Sequence, residues 1–481
     1  MYFVKDLESL KAENTSVYKN IFYSISANIL NFFISLVSTL FIPRVLSIEH
    51  FGYWQLYMFY VGYIGFFYFG LGDGVYLRYG GKYYNELDKG LISSQFWLLV
   101  WLEILICFGL LFVSFCIKDI SKRIVVICFG INCIIVLPRA VLLLLLQCTG
   151  LVKEYAKNFI IERLAFFILV IGILLLKVDR FEYLIVADVF AKIIALLGMM
   201  VLCKDIVFSK QAKLRVALLE FWQNITAGIM LLFANIAGML IIGIVRFGIE
   251  RNWDIATFGK VSFSLSISSF ILTFISAVGV VIFPIIKRSD QNKLPKTYES
   301  LGMLLSAVLV VLLVAYYPIQ KLLMLWLPQY EEAIRYFAIL FPISIFESRT
   351  ALLNNTYLKA LREEKAMLLL NGITVAVSLI STVVIINVFS SLPLVLLSIV
   401  GLQILKCILP EFYLQKRMGM ERSYDILWSI AATCIFIYGN WTIGGLLGWG
   451  IYVVFVILMI GVNFKKYCEQ IRFGKTILEV A

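Results

Sequence analysis

Long apolar runs broken by short polar turns recur along the whole chain, and most are wide enough to span a bilayer as a helix. Read this way, the chain has about fourteen spans: 20–43, 52–72, 92–117, 122–147, 158–177, 181–203, 221–246, 259–283, 298–320, 333–358, 366–389, 392–415, 424–440 and 444–463. The split at Gly439-Asn440-Trp441 decides whether the last run counts as one span or two. The runs are continuous rather than alternating, which excludes a β-barrel and gives an all-α polytopic membrane protein.

Polar positions inside the spans follow the helical period. In the first span Ser24, Asn28, Asn31, Ser35 and Ser38 fall on one face, and in the eighth Ser262, Ser266, Ser269, Thr273 and Ser276 do the same. Span seven adds Asn224, Gly228, Asn235 and Gly238, while the matching face of span two is aromatic, with Tyr53, Tyr57 and Tyr60. The first hairpin also recurs. At a constant offset of 207, Asn28, Arg44, Ile48 and Phe51-Gly52 meet Asn235, Arg251, Ile255 and Phe258-Gly259. The expected layout is two pseudo-symmetric six-helix lobes, 1–203 and 221–415, joined by a cytoplasmic loop at 204–220. Two further helices and a tail occupy 416–481. An even number of spans per lobe makes the repeat parallel, a transporter plan. Two matching stripes at equivalent places point to a hydrated cavity between the lobes, lined by Asn28, Asn31, Ser35, Tyr57, Tyr60, Asn235, Ser266, Ser269 and Thr273. Close helix packing by small residues is the alternative.

Composition agrees: 62% of the 481 residues are hydrophobic, 15% are charged, and the mean hydropathy is +0.94. The net charge of +12 sits in short loops, so it is a topology signal and not a nucleic-acid surface. With both ends placed in the cytoplasm, 26 of the 42 Lys and Arg residues fall on the inner side and ten on the outer. The segment up to Lys19 lacks the apolar core and cleavage site of a signal peptide, so the first span is expected to be retained. No loop is long enough to fold as a domain, and any chemistry belongs to the bundle.

Ionisable side chains inside spans are costly and tend to be functional. They are Glu103, Arg139, Glu162, Arg163, Asp188, Lys192, Glu347, Arg349, Lys406 and Glu411. Arg139, Arg349 and Lys406, with Arg78 at the inner end of span two, suggest a basic inner vestibule for an anionic head group. Local ion pairing is the alternative, and the i,i+4 pair Asp188 and Lys192 is expected to satisfy itself. Glu103 and Asp188 are the candidates for a coupling ion. His50 is the sole histidine, which leaves no catalytic Ser-His or Cys-His pair within the bundle and no two-histidine metal site. The nine cysteines include no Cys-x-x-Cys and read as small apolar fillers. No phosphate loop or dinucleotide fingerprint is present. The expectation is a protein with neither cofactor nor metal, and not an enzyme.

Pro43-Arg44 through Phe51-Gly52-Tyr53, then Gly70-Leu71-Gly72-Asp73, then Arg78-Tyr79-Gly80-Gly81-Lys82, resemble the polysaccharide-exporter family of O-antigen and capsule repeat-unit flippases. Phe258-Gly259-Lys260 and Phe283-Pro284 in the second half are similar to it too. That family belongs to the multidrug/oligosaccharidyl-lipid/polysaccharide (MOP) superfamily, with the drug extruders and the lipid II flippase. The resemblance implies a bacterial cytoplasmic-membrane flippase for undecaprenyl-pyrophosphate-linked oligosaccharides, working by alternating access and driven by an ion gradient or the membrane potential. Its implied partners are the lipid-linked substrate, the bilayer, and the polysaccharide polymerase and chain-length machinery. Of the family's positions only Arg44, Gly52, Gly72, Arg78 and Gly259 carry over. Three readings stay open beside it: an ion-coupled drug or metabolite extruder of the same fold, a flippase for lipid II or teichoic precursors, and a membrane polysaccharide polymerase. Spans one and two hold no carboxylate before Asp73, which favours an anionic substrate over a cationic drug.

Overall fold

The computed structural model describes residues 28–288, 294–420 and 425–480, with side chains for all of these except 273–288, 471 and 473–480. The described residues are helical with no strand, as expected for a polytopic membrane protein. Twelve of the described helices are long and apolar enough to cross a membrane. Pro328–Leu340 and Ile343–Ala360, bent by 50° at Phe341-Pro342, make a thirteenth if taken as one span. Proline inside an apolar run removes a backbone donor and breaks the ladder there.

The remaining expected span, 52–72, is not one helix. After α1 (Asn28–Val45), α2 runs only from Ile48 to Gly62. At 1.5 Å per residue that is about 22 Å, short of the roughly 30 Å hydrocarbon core. A three-ten turn, Ile64–Phe66, follows, and then Phe69 (φ 52°) and Gly70 (φ 85°) turn the chain into α3 (Leu71–Tyr79). The apolar pattern runs straight through, and the left-handed pair at 69–70 is what breaks it. Later in the chain, the expected split near 439–441 becomes the π-turn Tyr438–Ile443 followed by left-handed Gly444 and Gly445.

The chain divides into two compact units, Met1–Ile236 and Ala237–Ala481. In the first unit α5 (Ile120–Cys148) is the hub, packing against α2, α3, α4 (Lys89–Phe115), α6 (Val152–Leu175) and α7 (Phe181–Leu202). Its buried Leu137, Val141, Leu142 and Leu145 join Leu71 and Val75 of α3 and Phe96 and Leu99 of α4 in one cluster. A short helix, α8 (Lys204–Val207), closes this cluster with Ile206 and Val207.

The unit boundary falls inside a single helix, α9 (Leu214–Asn252). Within the first unit the start of α9 lies backbone to backbone against α3. A methyl placed on Gly228 would stand 2.0 Å from the Gly70 carbonyl oxygen, and one on Gly74 1.8 Å from that of Asn224.

In the second unit the elements are α10 (Ile255–Arg288), α11 (Leu294–Leu312), α12 (Tyr316–Trp326), α13 (Glu331–Leu340), α14 (Ile343–Arg349), α15 (Asn355–Ala360), α16 (Glu364–Val384), α17 (Leu392–Arg417), α18 (Asp425–Ile437) and α19 (Gly445–Val480). Here the later half of α9 meets α16, where Ser378 donates to the Ile241 carbonyl at 2.7 Å.

The 207-residue offset extends to helix caps. Ser47 accepts from the His50 N–H at the start of α2, and Asp254 accepts from the Thr257 N–H at the start of α10. Both pairs obey the same offset and satisfy the first-turn donors in the same way.

Gly228→Ala is expected to cost about 3 kcal/mol or more, because backbone cannot yield as a flexible side chain can. Gly172→Ala, in α6 with nothing near its Cβ position, should be neutral or stabilising by up to about 1 kcal/mol. Thermal unfolding of both variants in detergent checks the contrast. Equal melting temperatures would mean that α3 and α9 do not touch in this way.

Candidate functional site

Polar side chains collect in four places within the first unit. On α1, Asn28 is exposed, and Asn31, Ser35 and Ser38 are half-buried. The Asn31 Oδ1 and Ser38 Oγ atoms are buried without a hydrogen-bond partner among the described residues. Buried polar atoms in folded proteins are nearly always satisfied by protein or by water, so these two atoms look to water, a ligand or residues beyond those described. Ser24, the first member of the stripe, lies outside the described residues.

The aromatic face of α2 is tied into α5 and α7. Asn132 Nδ2 donates to the Tyr57 oxygen at 2.6 Å, and the Tyr57 hydroxyl donates to Asp188 Oδ2 at 2.5 Å. Lys192 Nζ reaches the same carboxylate at 2.5 Å, the pairing expected from their spacing. Tyr57 is fully buried, and Asp188 and Lys192 are each 7% exposed, so this network is part of the interior. Tyr60 is half-buried and packs on Phe129 of α5.

Two turns further along α5, Arg139 Nη1 meets Glu162 Oε2 at 2.5 Å and Arg139 Nε donates to Asn158 Oδ1 at 2.8 Å. Asn158 in turn donates to the Ala195 carbonyl. Arg139 is therefore 4% exposed and ion-paired inside its own unit.

Glu103 differs from these. It is fully buried on α4, and neither carboxyl oxygen has a hydrogen-bond partner among the described residues. Arg78, at the end of α3, is about one-third exposed and held from several sides. Its guanidinium donates to Glu220, Asn224 and Gln223 on α9, and the Tyr79 hydroxyl donates to Glu220 as well.

In the second unit the dominant feature is Arg349, 1% exposed. Its guanidinium contacts Glu411 through two nitrogens at 2.9 and 3.1 Å and Asp425 at 2.7 Å. It also donates to Ser306 Oγ and to the Gly302 carbonyl. Four elements, α11, α14, α17 and α18, are thereby tied to one side chain. Lys406 Nζ donates to the Gly238 carbonyl at 2.9 Å, and Gln403 donates to Glu347.

On α10, the Ser266 hydroxyl donates to the Ser262 carbonyl and Ser269 to that of Ser266. Both remain half-buried, and Asn235 is exposed. The side chains of Thr273 and Ser276 lie outside the described residues.

Of the three in-span cations expected to line a vestibule, Arg139 and Arg349 are paired with carboxylates in the interior, and Lys406 caps a backbone carbonyl. The physical reason is desolvation. A guanidinium at this depth is tolerable only with a counter-charge at contact distance. Sequence reading missed Asn132, Asn158, Ser306 and Asp425 as partners. Asn132 stands in an otherwise apolar run, a usable signal, whereas Asn158 follows Lys157 and Asp425 sits at a span edge, where polar residues are ordinary.

No family model matches the sequence, and no curated protein does either. Among solved structures, the lipid II flippase MurJ in an inward closed conformation aligns with a TM-score of 0.64 at 13% identity, covering 93% of this chain and all of that one. An outward-facing multidrug resistance MATE family transporter of the MOP superfamily aligns with a TM-score of 0.50 at 12% identity, covering 84% of this chain and 95% of that one. At such identities the likeness shows the fold alone: this is a multi-pass membrane protein folded like these two transporters.

Arg349→Met strips Glu411 and Asp425 of their shared cation, and the expected loss of stability is about 3–5 kcal/mol. Adding Glu411→Gln and Asp425→Asn should recover much of it, since replacing every charged member of a buried group is far cheaper than replacing one. Melting temperatures of the single and triple variants check this, and an unchanged single variant would refute a structural role.

Proposed function

We propose that this protein is a flippase that carries undecaprenyl-pyrophosphate-linked oligosaccharide repeat units of a surface polysaccharide from the inner to the outer leaflet of a bacterial cytoplasmic membrane by alternating access. The observation that carries this reading is the polar face of α1. It is a row of amides and hydroxyls at membrane depth, with Asn31 and Ser38 atoms that find no partner among the described residues. Such a face suits the hydroxyls of sugars and would be wasteful against lipid. Three other features support the reading. The fold is shared with a lipid II flippase, the motifs around Arg44, Gly72 and Arg78 resemble the polysaccharide exporters, and the apolar stretches 20–43 and 52–72 offer no carboxylate to a cationic drug. Arg78, oriented by Glu220 and Asn224, is the cation best placed to meet a phosphate. The excess of inner-side basic residues supports cytoplasmic termini. The matching caps at Ser47 and Asp254 support two pseudo-symmetric lobes joined near 204–220. The protein acts as a transporter and not as an enzyme, upstream of polymerase and chain-length machinery.

Glu103 favours an ion-coupled cycle, which the same-fold drug or metabolite extruder would share. An ionised carboxylate at this site would have neither donor nor counter-charge among the described residues, so the group is suited to holding a proton in one state of the cycle and releasing it in another.

Two experiments test the proposal. Depletion of the protein should leave lipid-linked repeat units on the cytoplasmic leaflet and remove surface polysaccharide. Repeat units stranded on the outer leaflet would instead mean that polymerisation is the missing step. Raised drug sensitivity with no accumulation would favour the extruder. A cysteine at Asn31 should react with a water-soluble thiol reagent at a rate near that of a loop cysteine, and an inert Asn31→Cys in an exporting protein would mean that this face is packed and dry.

A further inference from the structure

Lys406 departs from the pattern set by Arg139, Lys192 and Arg349. Each of those cations touches a carboxylate, whereas the Lys406 ammonium donates to a main-chain carbonyl, that of Gly238 on α9, at 2.9 Å. Lys406 stands near the middle of α17, and Gly238 lies in the apolar stretch from Ala237 to Ile242. Both belong to the second unit. A methyl on Gly238 would meet Lys406 Nζ at 4.0 Å, so the ammonium fills the space beside the glycine. One turn further along α9, Ser378 of α16 donates to the Ile241 carbonyl in the same manner. The two carbonyls are three residues apart and fall on one face of the helix. Together the bonds fasten the later half of α9 to α16 and α17.

A carboxylate stands within electrostatic reach of Lys406. Glu347 on α14 and Lys406 each act on the other's charge, yet the two make no ion pair. Glu347 is held instead by Gln403, whose Nε2 donates to Glu347 Oε1 at 2.9 Å. Gln403 is fully buried, and its own Oε1 has no hydrogen-bond partner among the described residues. Lys406 and Glu347 are both half-buried. An ammonium at this depth gains more from a carboxylate at contact than from a carbonyl. Its three donors and four-carbon stem can serve either.

We infer that Lys406 is a positioning residue with two positions. On the Gly238 carbonyl, as in this structure, it fastens the later half of α9 to α17. On Glu347 it releases α9 and ties α17 to α14. The exchange replaces one partner by another and strands no charge, which is what two discrete arrangements of packed helices at membrane depth require. Arg349 lacks this freedom, since leaving either of its carboxylates would leave a buried acid alone. The tether adds a hold-and-release step on α9, and it rests on the proposed transport cycle only for the purpose the release serves.

The test is hydrogen exchange read by mass spectrometry on the purified full-length protein, followed in the stretch of α9 around Gly238. Lys406→Met removes the tether and should speed exchange there at least about threefold, because local opening of the helix sets the rate. Glu347→Gln keeps an acceptor for Gln403 and removes the second position. Lys406 then stays on Gly238, and exchange in the same stretch should slow by a similar factor. A Glu347 that only supports packing gives the opposite sign, since its loss loosens the neighbourhood. Unchanged exchange in Lys406→Met would overturn the tether. Exchange that is unchanged or faster in Glu347→Gln would overturn the second position. If Lys406→Met does not fold, Glu347→Gln still decides, because slower exchange requires a lysine held on Gly238. None of these readings uses export, so failure of the tether and failure of the proposed function are told apart by the depletion experiment.

Discussion

In hydrocarbon a charged or hydrogen-bonding group must find its partner inside the protein, and the architecture of both units follows from that constraint. Arg349 makes the case most fully. One guanidinium at 1% exposure is met by Glu411 from α17, Asp425 from α18, and Ser306 and the Gly302 carbonyl from α11. Each partner fixes the position of its own helix relative to α14, so the charge that is most expensive to bury also sets the packing around it. Arg139 with Glu162 and Asn158, and Asp188 with Lys192, Tyr57 and Asn132, do the same on a smaller scale in the first unit. Such networks add less stability than their Coulomb energy suggests, because both partners lose their hydration. Their consequence is specificity: a slip of one helix by a turn would leave a charge alone.

Against that background, the groups that are not satisfied carry the functional information. Single neutral atoms such as Gln95 Oε1 and Asn132 Oδ1 also lack a partner among the described residues. Glu103 stands out from them because both oxygens of a fully buried carboxyl do, which suits a group that carries a proton in this state. The contrast separates two kinds of buried polarity that look the same in a sequence.

The spans, the all-helical class and the position of the first hairpin were legible in the sequence because apolar run length and helical period are local properties. The caps at Ser47 and Asp254 follow the same 207-residue offset that the sequence shows at Arg44 and Phe51-Gly52. What the sequence concealed was three-dimensional. Span two reads as one apolar run, yet Phe69 and Gly70 adopt positive φ and split it, a backbone choice that hydropathy does not encode. Asp188 and Lys192, four residues apart, declared their pairing. Arg349 and Glu411, 62 apart, did not, since nothing local distinguishes a cation facing a cavity from one facing a distant helix.

That distinction reshapes the electrostatic argument for an anionic substrate. With Arg139 and Arg349 neutralised at contact distance, attraction for a pyrophosphate cannot come from their summed charge deep in the bundle. It has to come from cations that keep some contact with water. Arg78 is of that kind, about one-third exposed and oriented by Glu220, Asn224 and Gln223. Its partner Glu220 lowers the net field and takes both terminal nitrogens, at 2.7 and 3.2 Å, which holds the guanidinium in one geometry. Because Gly70 and Gly74 bring α3 to backbone contact with α9 at Gly228 and Asn224, any movement of the start of α9 would carry Glu220 with it and change how firmly Arg78 is held. In this chain the close glycine contact and the half-exposed arginine belong to one mechanical element, and the fold gives that element a reason to be rigid.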